Sequence, residues 1–170
     1  MFPRLLVLLC LLPLSHASLA QQSGTTTPRV PETCAVTKPL DHPFVPPWPY
    51  RAQEVSGGVF WFGTDRFWTV LPADAILSQG EKTFWFRQEW GRYKSRDMWI
   101  PEKDVSKLTV TARRLDGPAP PPEVFKAASS YREDGKAFLV GGINFPTPGC
   151  WKISGRYGDD ELTFVVWVVK

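Results

Sequence analysis

The stretch Cys150-Trp151-Lys152-Ile153-Ser154-Gly155-Arg156-Tyr157-Gly158-Asp159-Asp160-Glu161-Leu162-Thr163-Phe164-Val165-Val166-Trp167-Val168-Val169 closes the sequence and sets its class. Two runs rich in β-branched and aromatic residues flank a polar, glycine-containing tip, which is the signature of a β-hairpin. The second run, Leu162–Val169, is apolar on nearly both faces, as a central strand requires.

Working back from this hairpin, the same texture recurs in short runs: Val59–Gly63, Phe67–Leu71, Thr83–Gln88, Leu108–Arg114 and Phe138–Phe145. Turn formers separate most of them, including Ser78-Gln79-Gly80 and Asp116-Gly117-Pro118. Alternation is clearest where Leu108, Val110 and Ala112 oppose Thr109, Thr111 and Arg113, a strand with one wet face. Gly141-Gly142 inside a strand predicts a bulge or a close backbone approach. Pro118 to Pro122 predicts a stiff crossover between two sheets, and Pro122–Ser130 has room for at most a turn or two of helix. About seven strands, turn signals and a terminal hairpin predict an all-β fold, an immunoglobulin-like β-sandwich over residues 51–170.

Residues 21–50 hold seven prolines, from Pro28 to Pro49. Proline at this density favours extended chain and excludes helix. The segment reads as a proline-rich arm, flexible before Cys34 and docked after it, with Trp48 placed to clip it onto the domain. Residues 1–20 read as a secretory signal peptide: a basic start at Arg4, an apolar run from Leu5 to Leu14, and the small residues Ser18 and Ala20 near the end. The run is too short to span a bilayer, which needs about 20 residues. Cys10 sits inside it behind Leu8-Leu9, which excludes a lipoprotein signal. The protein is therefore expected to be exported, periplasmic or extracellular, with no membrane span once the signal is removed.

Signal removal takes one of 20 basic residues and none of 17 acids, so the net charge falls from +3 to +2. That is too small to imply nucleic acid, and none is expected. Cys34 and Cys150 remain, and an even pair in an exported chain reads as a disulfide. Metal or thiol chemistry would want histidine nearby, and the processed chain has only His42. No metal and no cofactor is expected.

Phe145-Pro146-Thr147-Pro148-Gly149-Cys150-Trp151, with Gly155-Arg156 and Leu162–Val166, resembles a family of uncharacterised exported bacterial proteins. That family ends in a Pro-Gly-Cys-Trp strand and a final β-hairpin. Trp68–Pro72, Phe84–Arg87 and Arg113–Asp116 with Ala119-Pro120 belong to the same resemblance, which runs from about Cys34 to Val169. It implies export and the β fold and brings no activity. Where an acid often follows the tryptophan in that pattern, this chain has Lys152.

A nucleophile system needs an imidazole within reach, and His42, between Asp41 and Pro43, reads as part of a solvated turn. Paired carboxylates of a carbohydrate-active hydrolase could come from Asp65, Glu89, Asp97, Asp116 or Glu133. Asp159-Asp160-Glu161 reads as a hairpin tip, not a calcium site. The stretch from Phe84 to Trp99 interleaves aromatic with basic residues, which suits stacking on sugar rings. Within it, Phe84 and Phe86 read as core positions, with Arg87 laid over Trp85. Trp90, Arg92, Tyr93 and Trp99 fall in a glycine-containing loop and form the candidate ligand surface. Arg113-Arg114 reads as a strand edge with one exposed face, not an anion site. The functional expectation is a non-catalytic binding or interaction module, its ligand a polysaccharide or another envelope protein. The alternatives are a small carbohydrate-active hydrolase and a structural component of an envelope complex.

Overall fold

The computed structural model describes residues 28–50, 58–93, 99–132 and 134–170. The expected signal peptide lies outside the described residues, as do Asp97 and Glu133. Over the described residues the fold is all-β, with ten strands in two sheets and two short helical turns. The strands are β1 (Val59–Gly63), β2 (Trp68–Pro72), β3 (Ile76–Ser78), β4 (Lys82–Phe86), β5 (Leu108–Arg114), β6 (Glu123–Val124), β7 (Ala128–Tyr131), β8 (Ala137–Asn144), β9 (Gly149–Tyr157) and β10 (Asp160–Val169). A 3-10 turn, Gln88–Arg92, follows β4, and a single α-helical turn, Glu102–Val105, precedes β5.

The six-stranded sheet runs β1-β2-β4-β8, with β6 and β7 both on the far edge of β8. The four-stranded sheet runs β3-β10-β9-β5, antiparallel except for β3 beside β10. The apolar run of β10 therefore has strands on both sides. Its hairpin with β9 turns through Gly158 at φ +60°, a left-handed conformation that glycine adopts without steric cost. Residues 118–122 carry the chain from β5 in one sheet to β6 in the other, as the proline run requires. Pro122–Ser130, however, forms β6 and most of β7 rather than helix. The free edge of β8 offers backbone partners that a short helical turn could not match, and pairing overrides local preference.

The two sheets share one core. Trp85 of β4 meets Phe164 of β10 with ring centroids 5.8 Å apart, and Phe67 stacks on the same indole at 5.3 Å. Trp85 reaches so far across because β9 has no side chain in its path. A Cβ on Gly155 would lie 2.2 Å from the ring. The indole N–H donates to Thr83 Oγ1, which donates in turn to the Gly141 carbonyl. Gly141 and Gly142 are places of close approach, to Thr83 on the inner side and Phe125 on the outer.

A second apolar cluster lies on the outward face of the six-stranded sheet, where Trp61, Trp68, Phe86 and Phe138 gather around Tyr50. Here the arm does its work. Cys34 bonds to Cys150 on the outside of β9, and Thr37 continues the β3 side of β10, its amide donating to the Val165 carbonyl. The chain then passes to the opposite sheet, where Phe44 and Tyr50 pack on Trp68. Tyr50, 1% exposed, donates its hydroxyl to the Ala137 carbonyl at 2.5 Å. Trp48 does not clip the arm: it is 76% exposed, and the buried ring two residues later holds the segment.

Candidate functional site

The four residues of the expected ligand loop do not form one surface. Gln88–Arg92 winds into a 3-10 turn that drives Trp90 inward, 1% exposed and edge-on to Tyr157 at 5.1 Å. Gly91 makes this possible, since a Cβ there would lie 2.4 Å from the Pro49 ring. Tyr93 is buried as well, so two of the three aromatic rings expected at the surface belong to the core. Arg92 stays exposed, its guanidinium 4.9 Å from the Tyr93 ring and donating to the Tyr93 hydroxyl at 3.0 Å. Trp99 is the ring left open, 60% exposed and propped edge-on against Tyr131 of β7 at 4.6 Å. Its neighbour Ile100 is buried and donates its amide to Ser129 Oγ, which ties the segment to β7.

Arg87 lies over Tyr157 at 4.7 Å rather than over Trp85. It donates to both Glu89 and Asp160, and Arg66 donates to Asp160 from the other side. Burial pushes the Asp160 carboxyl up, but the bonds and charges of Arg87 and Arg66 outweigh it and hold the group below the ordinary carboxylate range. The hairpin tip is thus an ion cluster.

The other displaced carboxyls move the same way. Lys107 holds Asp104 down, and Arg114 holds Asp116 down. Asp134, pushed up by burial, is pulled further down by Lys136 and Arg132. Tyr157 moves the other way, raised by burial and by Asp104. Among the described residues no group of three or more His, Cys, Asp or Glu side chains could hold a metal, and His42 is exposed in the arm.

Register adds a surface that the sequence did not reveal. On the four-stranded sheet the outward residues of β5, β9 and β10 are chiefly polar. Arg113 of β5 stands directly opposite Lys152 of β9. One step along, Thr111, Ser154 and Thr163 form a row across three strands, with Ser154 and Thr163 hydrogen-bonded at 2.7 Å. At the far end Trp167, half-buried, projects outward because its neighbours Val166 and Val168 enter the core. Arg113 does lie on an edge strand, as expected; its partner could be identified only from the pairing.

No protein-family model matches this chain, and neither a curated protein nor a solved structure does.

Proposed function

We propose that this protein is an exported, non-catalytic binding or interaction module on an immunoglobulin-like β-sandwich, acting in a periplasm or outside the cell, with a polysaccharide as ligand. The signal-like leader and the resemblance to exported proteins support the compartment. So does the buried Cys34–Cys150 bridge, a linkage favoured in oxidising compartments. The observation that carries the binding reading is Trp99, a large ring left open to water yet fixed against Tyr131. An exposed indole that is already immobilised loses little entropy when a sugar ring stacks on it.

A hydrolytic role draws less support. A glycosidase acid must be held neutral near pH 7, and among the described residues the four carboxyls with displaced titration all move toward ionisation. A scaffold role finds some support at β6, where Val124 and half-exposed Phe125 stand beside an open edge.

Retention of the purified protein on immobilised neutral polysaccharides tests the reading. Trp99→Ala is expected to abolish retention with the thermal midpoint unchanged. Retention of the variant at the wild-type level, or of neither protein on any polysaccharide, would refute it.

A further inference from the structure

We propose that the outward face of the four-stranded sheet is a second binding surface, for an acidic polysaccharide, centred on Arg113 and Lys152. Like charges directly opposite on neighbouring strands destabilise a sheet, yet Arg113 and Lys152 are Cα partners across β5 and β9. Their neighbours on this face offer no acid: Thr111 and Ser154 fill the next row, and Val165 stands on the other side of Lys152. On the outward positions of these strands the acid is Glu161, which stands opposite Arg156. The like-charged pair is therefore a local rule that is broken. Such departures concentrate where a ligand completes the arrangement. An anionic group set between the two cations would turn repulsion into two charge-assisted contacts.

The surroundings select the kind of anion. The Thr111–Ser154–Thr163 row presents hydroxyls that donate to and accept from sugar hydroxyls, and Ser154 is already oriented by its bond to Thr163. Trp167 supplies an aromatic surface one row beyond Lys152. Arg156, bonded to the Gly158 carbonyl, places a further cation beyond the hydroxyl row. With strands about 4.8 Å apart and residues about 3.3 Å apart along them, the face measures roughly 15 by 20 Å, enough for several sugar residues. A single-stranded nucleic acid fits worse, because sequence-independent binding of bases relies on several stacking rings and this face carries one.

The proposal takes only the ligand class from the preceding section, since its site is a different surface. The test is binding of polygalacturonate to the purified full chain, with neutral dextran and a single-stranded DNA oligonucleotide in parallel. Wild type is expected to bind polygalacturonate in a salt-sensitive manner, and Arg113→Ser/Lys152→Ser to weaken it at least tenfold with an unchanged thermal midpoint. Trp99→Ala is expected to leave it as it was, which separates this site from the first. The proposal fails if wild type does not bind polygalacturonate or if the double variant binds it equally well. It also fails if Trp99→Ala removes the binding, or if the oligonucleotide binds more tightly through the same two residues.

Discussion

Outside its shared core the molecule has two sheet faces, and they differ in almost every respect. The six-stranded sheet turns outward Trp61, Trp68, Phe84, Phe86 and Phe138, while the four-stranded sheet turns outward Thr109, Thr111, Arg113, Lys152, Ser154, Arg156 and Thr163. One face needs a cover and receives the arm; the other stays open to water along most of its width. The contrast explains how so few residues bury so many large rings. A strand such as Phe84-Trp85-Phe86 sends Trp85 into the inter-sheet core and its neighbours into a second, outer layer closed by Phe44 and Tyr50. The arm is the third layer of the structure on one side; on the other it is held by the Cys34–Cys150 bridge and by the hydrogen bonds that Thr37 exchanges with Val165 at the edge of β10. Damage to the arm is therefore expected to be felt more on the aromatic face than on the polar one.

The strongest blow to the comparison is removal of the tie. Cys34 and Cys150 are 116 residues apart, and closing a loop of that length restricts the unfolded chain by about 4–5 kcal/mol on entropic grounds. Since domains of this size are stable by about 5–15 kcal/mol, Cys34→Ser/Cys150→Ser is expected to lose a large share of that stability at 25 °C. Urea unfolding measures the loss, and binding of a hydrophobic dye reports whether the aromatic face has been uncovered. A loss below about 1 kcal/mol, with no dye binding, would mean that the arm holds by its side chains alone.

A smaller effect is expected from the ring that seals the outer layer. Tyr50→Ala removes a fully buried aromatic residue, with an expected cost of about 3–4 kcal/mol. Tyr50→Phe keeps the ring and loses only the bond to the Ala137 carbonyl, about 1 kcal/mol. The hydroxyl has a second signature. Burial, then the charge of Asp134, raises its pKa above the ordinary 10.0, so the folded state holds the neutral form. That contribution is whole below pH 10 and drains away as pH rises further, because the unfolded chain ionises first. Tyr50→Phe is therefore expected to flatten the alkaline limb of a stability-versus-pH curve. Trp48→Ala, two residues away and exposed, is the control and should move neither measurement.

Seven strands, the crossover and the disulfide were legible in the sequence because each is written locally, in β-branched runs, prolines and paired cysteines. β3, β6 and β7 were not. Ile76-Leu77-Ser78 is too short to show alternation, and Ala128-Ser129-Ser130-Tyr131 contains poor strand formers held by the edge of β8. The ligand loop failed for a similar reason. Nothing near Trp90 says that Pro49, some forty residues earlier, will press on Gly91 and close the turn over it. Trp99 and Arg92 kept their exposure, while the Arg113–Lys152 pairing could not be seen before β5 and β9 were put in register. Local chemistry wrote the strands; long-range contact decided which of their residues reached water.

The last and smallest expected effect sharpens the contrast most. On the aromatic face stability and cover are the same thing, whereas on the polar face stability and binding are expected to pull apart. Lys152→Glu places an acid directly opposite Arg113. An opposite-charge cross-strand pair contributes about 0.2–1 kcal/mol, so this variant should be slightly more stable than wild type, and the gain should shrink as salt is added. Thermal unfolding at low and high ionic strength resolves the difference. The same substitution should weaken polygalacturonate binding, because the cation pair has become self-neutralised. A residue whose replacement stabilises the fold while removing a ligand is kept for the ligand. If Lys152→Glu instead destabilises by more than about 1 kcal/mol, the lysine is part of the structure, and the polar face is a surface like any other.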